Sequence, residues 1–144
     1  MYLQIQNFLN SARNRNILFT FLAVFIFFLS KNFGMFDDDI LFGSKMGNQL
    51  YYNSIFNWTM PDSFDPGHPP FLGTILAIFW EIFGHHLWVS HLAMVPFTIG
   101  FFIQLYKFIS YCIPNNSILQ ILAFILLIVD PTLSTCLALS LIHI

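Results

Sequence analysis

Apolar residues run in long blocks along this chain, broken by short polar joints, with no sustained strand-period alternation. Residues 17–29 contain one polar side chain, Thr20, and the block extends through Ser30 to Phe36. Residues 71–83 and 87–108 form two more blocks, separated by Gly84-His85-His86, and a fourth begins at Ile118. Blocks of this kind predict helices, and roughly 20 apolar residues suffice to cross a bilayer. The expected spans are about 16–36, 70–84, 87–108 and 118–142, with an external loop at 37–69. Pro69 and Pro70 suit the first turn of the second span, Pro96 predicts a kink in the third, and Asp130-Pro131 predicts a break in the fourth. Within the loop, Phe42, Met46 and Leu50 recur every four residues, which is one stripe of a helix. Tyr51, Tyr52 and Trp58 favour the membrane–water boundary, so this helix is expected to lie in the interface.

Composition strengthens the membrane reading. The 144 residues include only five basic and seven acidic side chains, against about 36 charged residues in an average soluble chain of this size. Hydrophobic residues make up 57%, and 19 are Phe, more than a soluble domain of this length could cover. The expected fold class is therefore all-α, a polytopic membrane helix bundle. Five dispersed basic residues exclude a nucleic-acid binder, and two cysteines exclude a disulfide scaffold. Arg13 and Arg15 directly precede the first block and are expected to hold the N-terminus in the cytoplasm. The opening resembles a signal peptide, but Ser30-Lys31-Asn32-Phe33 makes a poor cleavage site. The sequence stops inside an apolar run, Leu141-Ile142-His143-Ile144, and reads as the N-terminal part of a longer chain.

Candidate chemistry gathers in the loop. Asp37-Asp38-Asp39 places three acids where the first span ends and the interfacial helix begins. A carboxylate at that depth can serve as a general base or as a ligand to a divalent metal; the bland reading is a water-facing N-cap. Asp65-Pro66-Gly67-His68-Pro69-Pro70 would fix Asp65 and His68 at the second span's mouth, or simply cap it. His85, His86 and His91 have spacings that do not share one helical face, so they read as interfacial histidines. Glu81 should face protein or sit near a span's end, and Cys112 and Cys136 read as packing residues.

The order of these motifs resembles the protein O-mannosyltransferases. Asp38-Asp39-Ile40-Leu41-Phe42-Gly43 is similar to that family's acidic pair followed by Phe-Gly in the first external loop. Asp65-Pro66-Gly67-His68-Pro69-Pro70 resembles its acid–His-Pro-Pro sequence, and Phe83-Gly84 the Phe-Gly that closes the next helix. Residues 122–131, ending in Asp130-Pro131, resemble its fourth-span ending. The broader group, membrane glycosyltransferases of the C-type fold, also includes the aminoarabinose transferases of lipid A.

The resemblance implies an inverting transfer of sugar from a polyprenyl-phosphate-linked donor to an acceptor hydroxyl on a protein, glycan or lipid. It implies Asp38 as base, Asp39 as its acidic neighbour, and Asp65 and His68 as shapers of the site. Lys45 is the loop's one cation and the candidate contact for substrate. No cofactor is fixed by these residues, and a divalent metal is left open. His91 stands nearest the place of a family Arg, and Phe71-Leu72-Gly73-Thr74 lacks the Lys that follows Pro-Pro in eukaryotic members. Both departures point to a bacterial relative in the inner (plasma) membrane, and the 144-residue piece alone is expected to be inactive. Two other classes compete with this reading. One is a transport or channel component using Glu81 and Asp130; the other is a non-catalytic assembly subunit.

Overall fold

A computed structural model describes residues 11–32, 38–59, 61, 70–114 and 116–130, with the side chains of 38–42 excluded. These residues form helices and connecting turns, with no strand among them. In chain order the helices are α1 (Ala12–Ser30), α2 (Asp38–Asn53), α3 (Phe71–Phe83), α4 (Leu87–Cys112) and α5 (Ser117–Val129).

Two helices, α1 and α4, are long and apolar enough to cross a membrane. At a rise of about 1.5 Å per residue, α4 is roughly 39 Å long and α1 roughly 28 Å, against a hydrocarbon core of about 30 Å. Only 11% of α1's most apolar stretch and 28% of α4's is buried, whereas a soluble core helix is covered on most sides. Phe21, Phe25, Phe28 and Leu29 are all more than half exposed on α1. The other two expected spans are not confirmed. With 13 residues each, α3 and the described part of α5 reach only about 20 Å. α3 stops because Gly84 turns the chain at φ +90°, a conformation that a side chain strains. α5 ends at Val129, with Asp130 extended, where the Asp-Pro pair predicted a break; residues 131–144 lie outside the described set.

α4 is the spine. α1 runs antiparallel to it, since Arg15 lies beside Tyr106 while Ser30 and His91 line one small cavity. α5 also runs back along α4, with Gln120 bonded to Tyr106 and Phe124 against Phe102. Phe19, Phe102, Tyr106 and Phe124 interlock in tilted and edge-on pairs, with centroids 4.9–6.3 Å apart. The helix passes unbroken through Pro96, which removes the N–H that would bond the Leu92 carbonyl.

The N-terminal half of α4 carries a different assembly. α2 and α3 run in the same direction, with Gly43 against Leu72, Gly47 against Leu76 and Trp80, and Tyr51 against Trp80. The α2 helix expectation is met, and Met46 and Leu50 on its apolar stripe are buried by protein. Gly47 and Gly73 let the two backbones touch. A Cβ at Gly73 would sit 2.8 Å from the Gly47 nitrogen and 2.8 Å from the Met46 Cβ.

Candidate functional site

Asp38 and Asp39 form the first turn of α2. Lys45 lies two turns further on and is exposed. These three residues are therefore set on one helix, held in place by its buried stripe against α3. Asp37, Asp65 and His68 lie outside the described residues.

The other end of α2, roughly 20 Å along its axis from Asp38, meets α3 and the start of α4. The Trp80 indole N–H donates to the Ser90 hydroxyl at 3.1 Å in a buried bond. The His85 ring stacks on Tyr51 at 5.3 Å and meets Trp80 edge-on at 4.3 Å. His86 stacks against Trp88. His91 is buried between α1 and α4 beside a cavity of about 10 Å³ that Ser30 and Thr98 also line. The three histidines thus have three surroundings, and among the described residues no group of His, Cys, Asp or Glu could hold a metal ion. Glu81 and Asp130 are both exposed.

Two clusters had little sequence signal. Tyr51 and Tyr52 read as interfacial residues, but nothing in the spacing linked them to His85, more than 30 positions away. The second cluster lies at the far end of α4. Tyr106 donates to the Gln120 side-chain oxygen at 2.9 Å, Gln120 donates to the Ile113 carbonyl at 2.8 Å, and Arg15 lies over the Tyr106 ring. A glutamine inside an otherwise apolar helix is the one hint that such a network exists.

Charge divides along the α1–α4 axis. Arg13, Arg15 and Lys107, three of the five basic residues, stand at the α1 N-terminus and α4 C-terminus. Lys31 lies at the opposite end, and Lys45 lies on the α2–α3 unit that packs there. Chemically, the α2 end offers a pair of acid positions in a helix's first turn, where the helix's partial positive charge favours an anion. The chain matches no protein-family model, curated protein or solved structure.

Proposed function

We propose that this protein is a bacterial inner-membrane glycosyltransferase, in which α1 and α4 cross the bilayer and the α2–α3 pair rests at its external face. The observation that carries this reading is the placement of Asp38 and Asp39. They open a helix docked on α3, and the other end of that helix pair meets the start of α4, away from Arg13, Arg15 and Lys107. Cationic residues are retained on the cytoplasmic side, so that end faces inward and the start of α4, with the α2–α3 pair packed on it, faces outward. α3 is too short to cross and shares its buried face with α2, which suits a helix pair lying on the membrane surface.

A lipid-linked sugar presents its anomeric carbon at that surface. Asp38 takes the proton from the acceptor hydroxyl as its oxygen bonds to the anomeric carbon. The bond to the lipid phosphate oxygen breaks on the opposite side, and its electron pair leaves with the phosphate. Configuration inverts. Asp39 and Asp65 hold the acidic surroundings of the base, while Lys45 and His68 contact substrate.

Sugar transfer from polyprenyl-phosphate-linked donor, measured in membranes carrying the full-length protein, tests this. Asp38→Asn keeps a helix-capping side chain but removes the base, so turnover should fall about 10²- to 10⁴-fold with insertion unchanged. Asp37→Asn should be much milder. Wild-type turnover in Asp38→Asn, with loss in Asp39→Asn or Asp65→Asn, would move the base to another acid. Four silent substitutions would end the glycosyltransferase reading.

A further inference from the structure

Two glutamines stand inside apolar helices, and the fold treats them differently. Gln120 on α5 is buried; its oxygen accepts from the Tyr106 hydroxyl and its nitrogen donates to the Ile113 carbonyl. Gln104 on α4 is exposed, and its amide has no hydrogen-bond partner among the described residues. It lies roughly 7 Å along the axis from the middle of α4, against a hydrocarbon half-thickness of about 15 Å. A helix centred in the bilayer holds this amide among lipid tails, which can satisfy neither its donors nor its acceptor. Phe97, Gly100, Gln104, Phe108 and Tyr111, spaced by three or four residues, form one exposed stripe roughly 21 Å long. α1 and α5 pack on another side of α4, at Phe102 and Tyr106. Val89 and Ala93 continue the stripe towards the helix N-terminus, but there α3 covers it.

We propose that two copies of this protein pair along this stripe of α4, with the two Gln104 side chains bonded to each other. Identical chains enter a membrane in one orientation, so their α4 helices run parallel, and a two-fold axis sets each residue opposite its own copy. A primary amide is its own complement: the nitrogen of each donates to the oxygen of the other. An apolar helix on this face would leave the amide unbonded, whereas a second copy supplies its partner at the matching depth by symmetry. One polar residue in such a seam also fixes its register. A Cβ built at Gly100 has nothing within 4 Å, so the second backbone can approach one turn from Gln104. Alanine is small enough to be accepted at such a crossing as well. Because α3 covers Val89 and Ala93, the two helices meet in the C-terminal half of α4 and splay apart beyond it. The proposal rests on the membrane crossing of α4 given above but not on sugar transfer, and its test involves no transfer assay.

The test follows energy transfer between donor- and acceptor-labelled copies of the full-length protein in phosphatidylcholine vesicles as lipid is added. Wild-type transfer should fall on dilution as a monomer–dimer equilibrium does. Q104L should weaken the dimer about tenfold, the loss of two interhelical hydrogen bonds, and Q104N should retain most of it. Q104L should leave the thermal midpoint of the detergent-solubilised monomer unchanged, because Gln104 bonds nothing in its own chain among the described residues. In membranes, with every other cysteine replaced, Phe108→Cys should oxidise to a disulfide-linked dimer with copper phenanthroline. Phe25→Cys, exposed on α1, should not. Absence of wild-type transfer at every protein-to-lipid ratio, or a dimer that Q104L leaves intact, would overturn the proposal. So would cross-linking through Phe25→Cys in place of Phe108→Cys, or a monomer destabilised by Q104L, the mark of a helix of the same chain on this face. Release of the protein from membranes by alkaline carbonate would remove the membrane placement itself, and this pairing with it.

Discussion

The two ends of α4 are held by opposite devices. At its C-terminal half, α1 and α5 are joined to it by bulk, with Phe19, Phe102, Tyr106 and Phe124 filling the space between three backbones. Around its N-terminal half, the α2–α3 pair is held by the absence of bulk, with Gly47 and Gly73 bringing two backbones into contact. In the bilayer proposed above, lipid tails are as apolar as a protein core, so neither end would gain much from hydrophobic transfer alone. What remains is packing. One end obtains it from interdigitated rings, and the other from close backbone approach. On the membrane placement proposed above, the difference suits two duties: an aromatic knot fixes the two helices long and apolar enough to span, and a tight helix pair holds the acid positions of α2 at a set distance from them.

Substitutions should therefore have opposite signs of danger at the two ends. The largest effect is expected from Phe102→Ala, because Phe102 is fully buried at the centre of the aromatic knot. Loss of a buried Phe costs about 3–5 kcal/mol in a packed core, with the lower value expected in a lipid-like medium. Thermal unfolding in detergent, followed by far-UV circular dichroism, should show the lowered midpoint. An unchanged midpoint would show that the rings are not holding α1, α4 and α5 together.

Next in size is Gly73→Ala, a gain of one methyl group. Its neighbours are the Gly47 nitrogen, the Met46 Cβ and the Met46 carbonyl carbon, the last 3.0 Å away, and most of these are backbone atoms that cannot rotate aside. A cost of about 1–3 kcal/mol is expected in the same measurement. If the transfer reading holds, activity should fall with it, since α2 must shift. Smallest, and opposite in sign, is Gly100→Ala. A Cβ there meets nothing within 4 Å, so the helix should gain about 0.5–1 kcal/mol. Destabilisation by Gly100→Ala would mean that this face of α4 is covered in the whole protein.

The aromatic end was more legible in the sequence than the glycine end. The expected spans at 16–36 and 87–108 have the length and apolarity to cross a bilayer, and α1 and α4 formed over most of them. The Phe42, Met46, Leu50 stripe announced α2, but not that α3 would bury it, because the partner helix begins some twenty residues later. Residues 71–83 read as a span from apolarity alone. The limit was set by Gly84, whose φ of +90° turns the chain after 13 residues, and by Gly47 and Gly73, whose pairing leaves no side-chain pattern to read. Of the candidate site, Asp38, Asp39 and Lys45 fall on one helix as the stripe implied, while Asp65 and His68 lie outside the described residues. The contacts of His85 with Tyr51 and Trp80 arise from the fold and had no signature in the chain.

The account depends most on the two ends of α4 facing opposite sides of a membrane, and the protein carries half of the necessary probe. Cys112 is exposed at the C-terminal end of α4, and Ser54 is exposed just beyond α2. In the full-length protein with any other cysteine replaced, one version keeps Cys112 alone and another carries Ser54→Cys alone. Both are treated with a membrane-impermeant maleimide in intact cells and again after permeabilisation. Ser54→Cys should react in intact cells, and Cys112 only once the membrane is opened. Reaction of both from the same side, or the reverse order, would contradict the placement of α2, α3 and the acids they carry.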